Sequence, residues 1–231
     1  MTQLATLTSP EAAERAAAGA LLAVPVGSTE QHGPHLPLAT DADLAVALCA
    51  QLGEAHPAVV VAPSVPYGSS GEHEGFAGTI SIGQEATELL LTELGRSATR
   101  TFSRVLLVST HGGNTGAVRR AVARLRAESR DVSVWLPRWA GDAHAGRAET
   151  SLQLALAPGT VRLDRAEAGN TTPIAELMPA LRATAVKGVS PNGVLGDPAG
   201  ASPAEGAAMF AGLLADLTGY VERWPDGRPG A

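Results

Sequence analysis

Leu21-Leu22-Ala23-Val24-Pro25-Val26 is an unbroken apolar run that ends directly on Gly27. A strand with one wet face alternates apolar and polar side chains. A continuous run of this length reads instead as a strand covered on both faces, as in the interior of a parallel sheet. Comparable runs at 59–62, 105–109 and 132–136 alternate with segments of helical period at 41–53, 84–102 and 114–129. The middle helix carries Leu90, Leu91, Leu94 and Ala98 on one broad face. Such alternation predicts an α/β fold, with a mostly parallel central sheet and helices on both faces. The chain has 231 residues and no Ser/Gly/Pro-rich linker, so one domain over 1–231 is expected. A late helix opens at Ser202-Pro203-Ala204-Glu205, where Ser202 caps, Pro203 suits the first helical position and Glu205 completes a capping box.

The first strand feeds Gly27-Ser28-Thr29-Glu30-Gln31-His32-Gly33-Pro34-His35-Leu36-Pro37-Leu38-Ala39-Thr40-Asp41, which packs two carboxylates and two imidazoles into one loop. In extended backbone Glu30 and His32, two residues apart, point to the same side, and Asp41 returns from the start of the next helix. Zinc, manganese and ferrous iron all accept this donor set. Without thiolates it suits an open hydrolytic site better than a closed structural one.

Composition limits the other classes. Hydrophobic residues make up 45% of the chain and charged ones 17%, which points to a homo-oligomer that covers part of its apolar surface. A net charge of −6, with no Lys/Arg run and no aromatic stacking series, argues against nucleic acid. Arg119, Arg120, Arg124 and Arg126 read as the wet face of a helix whose dry face is Ala117, Val118, Ala121, Val122 and Leu125. The single cysteine, Cys49, sits among apolar neighbours as a core thiol and fits a reducing compartment. Glu11 and Glu14 stand where an export signal would be basic, and the run ending at Val26 is too short to span a bilayer. A cytoplasmic protein with no membrane partner is expected.

Two further segments lie where strands end, the rim at which open parallel sheets collect their chemistry. Val105-Leu106-Leu107-Val108-Ser109 runs into Thr110-His111-Gly112-Gly113-Asn114, placing His111 at a strand end with glycines for close approach and Asn114 as the cap of the following helix. No Walker lysine or GxGxxG spacing accompanies this turn, which argues against a nucleotide site. In Asp142-Ala143-His144-Ala145-Gly146-Arg147-Ala148-Glu149-Thr150-Ser151, a helix starting near Gly146 lets His144 and Glu149 face the rim from the opposite side. The loop Tyr67-Gly68-Ser69-Ser70-Gly71-Glu72-His73-Glu74-Gly75-Phe76 follows another strand. Ser70 and His73, with Gly113 and Asn114, are expected to line a substrate pocket. His35 reads as a support for the ligands and His56 as plain surface.

Taken in order, the 27–41 motif, Gly75-Phe76-Ala77-Gly78-Thr79-Ile80-Ser81, His111-Gly112-Gly113-Asn114 and His144…Glu149-Thr150-Ser151 resemble the creatininase, or creatinine amidohydrolase, family of metal-dependent amide hydrolases. The resemblance implies two divalent ions per subunit. Glu30, Asp41 and His111 would hold one, and His32 would hold a second with Asp41 bridging. In that family the remaining ligand is an acidic residue two positions after the histidine of the third motif. Here that position is Gly113, and Glu149 is taken as the replacement. His144 is the candidate general acid for the leaving amine, a role typically worth about 10²–10⁴ in rate. Ala168-Gly169-Asn170, Leu177 to Arg182 and Gly188-Val189-Ser190…Gly193-Val194-Leu195-Gly196-Asp197-Pro198 look like the peptide-cleaving branch that serves mycofactocin biosynthesis. The implied substrate is a modified precursor peptide, cleaved near its C-terminus to release a cross-linked Val-Tyr dipeptide. Creatinine, a flavin or deazaflavin formamide, and a non-catalytic binding role are the alternatives.

Overall fold

The computed structural model describes residues 1–138 and 141–224, and the remainder of the expected single domain lies outside the described residues. Among the described residues five strands form one parallel sheet: β1 (Thr2–Gln3), β2 (Leu21–Val26), β3 (Val59–Val61), β4 (Arg104–Ser109) and β5 (Val132–Trp135), in the order β1-β3-β2-β4-β5. The two longest, β2 and β4, lie side by side at the centre with Leu21 opposite Arg104 and Val26 opposite Ser109. Every residue of β2 is buried, as its lack of alternation predicts.

Successive side chains of β2 point to opposite faces, and each face has its own core. Leu22, Val24 and Val26 pack with Val105 and Leu107 against α3 (Gly83–Ala98) and α4 (Thr115–Ala127). Leu21 and Ala23 pack with Leu106 and Val108 against α2 (Thr40–Ala55), α5 (Arg147–Leu156) and α7 (Pro203–Arg223). Cys49 is buried in this second core, and burial pushes its thiol pKa up. No described helix is long and apolar enough to cross a membrane.

Some local expectations change. The helix read over 84–102 stops at Ala98, where the Thr99 N–H bonds back to Gly95 and the buried Phe102 turns into the core. At α7 Ser202 caps the Glu205 N–H, but the Glu205 carboxylate does not close the box. It accepts instead from Arg147 Nε at 2.9–3.0 Å and from Ser151 Oγ at 2.8 Å, since a charge-assisted pair outcompetes a return to the backbone. Asn114 makes no capping bond. Its buried side chain accepts from the Ser69 N–H and donates to the Gly27 carbonyl, 2.8 and 2.9 Å, tying the loops after β2 and β3 to the end of β4. His56 is half-buried at the end of α2, not plain surface. The short β1, the helix α1 (Ser9–Ala17) and the helix α6 (Ile174–Val189) add to the elements read from periodicity.

Candidate metal centre

The helix after β2 leads to β3 on one side of it, and the helix after β4 leads to β5 on the other. The chain therefore reverses direction between β2 and β4, and the crevice beyond their carboxyl ends is where such sheets bind ligands. Gly27 stands at this point. A Cβ there would lie 2.4 Å from the Ala42 Cα, so only glycine lets the first turn of α2 come close enough to deliver Asp41. The Thr110 hydroxyl donates to the Asp41 carbonyl at 2.7 Å, and Ser28 Oγ donates to Asp41 Oδ2 at 2.5 Å. Neither side chain is singled out by sequence, although both lie inside the motifs.

Glu30, His32, Asp41, His73, His111, His144 and Glu149 converge here. The ligand atoms of Glu30, Asp41 and His111 lie within 4.8 Å of one another, as do those of His32, His144 and Glu149, and those of Glu30, His73 and His144. Asp41 faces two histidines with different oxygens: Oδ2 is 3.2 Å from His111 Nδ1 and Oδ1 is 3.7 Å from His32 Nε2. His32 Nε2 is also 3.9 Å from Glu149 Oε2. Glu149 is aimed by a 2.6 Å bond from the Ala145 N–H in the turn before α5. His35 supports that turn from behind, with Nε2 2.8 Å from the Thr150 hydroxyl.

Polar groups this deeply buried are ordinarily hydrogen-bonded. Glu30 is 1% exposed, yet neither carboxylate oxygen has a hydrogen bond; they lie 3.3 Å from His73 Nε2 and 3.2 Å from His111 Nε2 without hydrogen-bond alignment. His32 Nε2 is likewise buried and unpartnered. His111 Nε2 is 2.9 Å from the Ser69 carbonyl, so its neutral form keeps the proton there and turns the Nδ1 lone pair towards Asp41 Oδ2. Lone pairs facing each other at these distances require a cation or a proton between them. The donor set fits a divalent ion.

The protonation pattern gives the same picture. Burial, reinforced by Asp41 and partly offset by His111 and His32, raises Glu30 to about 7. For His32 and His111 burial works downward, but Asp41, Glu30 and neighbouring carboxylates outweigh it and hold both near 10. Burial also works against ionised Asp41, and His32 and His111 overcome it to hold the group well below the usual range. His73 falls to about 3 and His144 well below its ordinary value, chiefly through burial and then through His32. Burial raises Glu149.

The expected pocket residues divide. His73 faces Glu30, and Ser70 Oγ is 3.5 Å from His111 Nε2, whereas Asn114 is held as scaffold. Gly113 borders His111: a Cβ there would lie 2.4 Å from its Nε2 and 2.1 Å from Glu72 Oε1. The Glu72 carboxylate, from another loop and 3.6 Å from His111 Nε2, thus stands where a side chain at 113 would begin. Gln31 is the other residue sequence reasoning passes over. Its amide nitrogen lies 2.8 Å from His73 Nδ1 and 3.1 Å from His144 Nε2, contacts that no local pattern announces.

Comparison with known proteins agrees with this arrangement. The family model described as creatininase, creatinine amidohydrolase, matches residues 5–221. A relative from Mycolicibacterium smegmatis named mycofactocin precursor peptide peptidase is 50% identical over 91% of this chain and 87% of its own length. One of the same name from Mycobacterium ulcerans is 48% identical over 90% and 86%. A solved structure named Creatininase Mn superposes with a TM-score of 0.80 at 25% identity, covering 97% of this chain and 99% of that one. The chain belongs to the creatininase family.

Proposed function

We propose that this chain is a metal-dependent peptidase that cleaves a modified mycofactocin precursor peptide near its C-terminus, releasing the cross-linked Val-Tyr dipeptide. Two relatives of that name at 48–50% identity over about nine-tenths of the chain support the substrate. The observation that carries the chemistry is the Glu30 carboxylate, buried with both oxygens unbonded among imidazoles.

Glu30, Asp41 and His111 would hold one divalent ion; His32 and Glu149, with Asp41 between, would hold a second, with zinc, ferrous iron or manganese as candidates. When bound, such ions lower the pKa of water from 15.7 towards about 7 and polarise an amide carbonyl. Ser28 holds the Asp41 carboxylate and Thr110 holds its backbone carbonyl, so the group between the two candidate sites is set before substrate arrives. The surrounding burial keeps bulk water from screening these charges. The leaving amine needs a proton, and the motif order assigns its delivery to His144. A cytoplasmic homo-oligomer completes the reading, supported by the apolar composition and the lone core thiol.

Incubating the metal-loaded chain with the modified precursor, the unmodified precursor and creatinine, followed by mass analysis, tests the proposal. Release of the C-terminal dipeptide from the modified precursor is expected. Turnover of creatinine alone would overturn the peptide substrate and leave the hydrolase standing.

A further inference from the structure

Gln31 touches two of the imidazoles at the centre, and its own amide can be oriented from its partners. The Gln31 Oε1 accepts from the Gly33 N–H at 2.8 Å, so the other end is nitrogen. That nitrogen has two protons and three neighbours: the Gly193 carbonyl at 3.1 Å, His144 Nε2 at 3.1 Å and His73 Nδ1 at 2.8 Å. A carbonyl only accepts, so Gly193 takes one proton. His144 Nε2 lies 2.9 Å from the Gln31 backbone carbonyl and donates to it, so it cannot take the second. His73 Nδ1 takes it. An imidazole that accepts at Nδ1 is neutral and carries its own proton on Nε2.

The ring is aimed as well as protonated. His73 is 4% exposed and ends the short turn Gly71–His73, where its backbone N–H bonds to the Ser70 carbonyl at 2.9 Å. Just beyond, Phe76 packs with Leu177 and Val186 of α6, and Lys187 Nζ donates to the Gly75 carbonyl at 2.7 Å. Gln31 and α6 thus hold the imidazole from two sides. His73 Nε2 lies 3.3 Å from Glu30 Oε1, an oxygen that accepts no hydrogen bond from it. Among the described residues, then, the Nε2–H has no protein acceptor. A buried donor left unpaired costs free energy, and such groups are ordinarily satisfied. One held rigidly at the edge of a reaction centre is a donor kept for a group that arrives.

Amide hydrolysis brings such a group. As the water oxygen bonds to the carbonyl carbon, a pair of the C=O electrons moves onto oxygen, which becomes a far stronger acceptor and needs donors already in place. We propose that His73 is a catalytic residue whose Nε2–H donates to the carbonyl oxygen of the scissile amide, with Gln31 as the positioning residue that keeps the proton on that nitrogen. The proton stays on His73 throughout, so a hydrogen bond forms there and no covalent bond changes. Delivery of a proton to the leaving amine stays with His144. This rests on the amide-hydrolase reading above.

Two histidine variants and one set of spectra test it. Removing a donor of this kind typically costs about 10²–10³ in kcat. On the zinc-loaded chain with the modified precursor, His73→Phe is expected to lower kcat by about that factor, with zinc content and KM near those of the wild type. His73→Gln, whose amide N–H replaces the ring N–H, should regain most of the loss. Equal turnover in His73→Phe overturns the proposal. So does a His73→Phe chain that binds zinc more weakly yet keeps its kcat at saturating zinc, which would make His73 a support of Glu30 alone. Histidine-¹⁵N spectra read the tautomer without turnover. The wild-type His73 proton is expected on Nε2 and should move to Nδ1 in Gln31→Glu, because a carboxylate only accepts; a wild-type proton on Nδ1 overturns the proposal. Should the variants not fold, the wild-type chain with a phosphinate analogue of the scissile amide decides. The His73 Nε2–H signal should shift downfield on binding, and an unmoved signal overturns the proposal. A wild-type chain that turns over no amide at all overturns the hydrolase reading itself, a failure distinct from an active wild type matched by His73→Phe.

Discussion

Carboxylates are gathered with cations in two regions of this molecule, with opposite results. On the outer face of α3 and α4, Glu128 accepts two bonds of 3.0 Å from Arg96 Nε and one of 3.1 Å from Arg130, and Arg96 also reaches Glu93. Those guanidinium bonds hold Glu128 down at about 2. At the carboxyl ends of β2 and β4, Glu30 is surrounded by imidazoles, and burial lifts it to about 7. A guanidinium never surrenders its proton, so the outer carboxylate has a permanent counter-charge and water besides. Imidazoles can lose theirs, and once neutral they leave a buried carboxylate uncompensated. That cost would ordinarily remove the charge from the interior. Its retention here marks a place meant for a cation that does not titrate, which is what a divalent ion is.

Deleting the bridge between the two ligand groups should break this contrast most severely. Asp41→Asn removes the charge that faces both His111 and His32, and both ions should be lost together. Turnover is expected to fall by at least about 10³-fold, since several kcal/mol of transition-state stabilisation go with the ions at about 1.36 kcal/mol per decade. Kinetics on the peptide substrate and elemental analysis of the same preparation check it. An Asp41→Asn chain that retains two ions and near-normal turnover would place the chemistry elsewhere.

Legibility in the sequence follows the range over which the forces act. β2, β4 and α2 could be read because burial imposes a period on consecutive residues, and their bounds shift by two residues at most. In contrast α6 resists periodicity: it carries Pro179 in its interior and Ala185 at φ +56. β1 is two residues long and has no period to read. At the centre, Glu30, His32 and His111 are visible because they lie in short loops that follow strand ends, and Asp41 because it opens the helix that closes the first of those loops. Gln31 is visible only in three dimensions. Its partners His144 and Gly193 lie 113 and 162 positions away, and contacts of that range are a property of closure, not of a motif. Glu72 is hidden for the same reason, reaching His111 from a loop after a different strand.

A pH series sharpens the comparison at intermediate size. In the metal-free chain His32 and His111 stand near 10 against an ordinary value of 6.5. A group raised in the folded state lends stability that is fully present below its unfolded pKa and is lost as pH rises through the folded one. The metal-free chain should therefore lose stability steadily between about pH 6.5 and 10. Glu30, raised from 4.5 to about 7, has the same sign and loses its share between those two values, so most of it is gone where that window begins. With the ions bound, both imidazoles are neutral ligands in the folded state, metal binding displaces their protons, and this alkaline loss should vanish. Thermal melts with and without zinc across that window should diverge, the metal-free curve falling away. Parallel curves would mean that no proton leaves the imidazoles when metal enters.

The outer network should give the smallest effect, and its smallness is informative. Glu128→Gln leaves Arg96 with Glu93 and leaves both guanidinium groups in water, so nothing is stranded when the charge goes. Exposed pairs of this kind contribute little and are screened by salt. The Tm is expected to move by about 2 °C or less at moderate ionic strength, with metal content and turnover unchanged. Raising the salt should erase even that difference, because screening acts on charges that water can reach. Glu30→Gln in the same salt series should keep its full loss of metal, because the Glu30 carboxylate is buried and no counterion reaches it. If salt were to moderate the Glu30 variant as it moderates the Glu128 one, the centre would be open to solvent and its burial could not be what demands the ion.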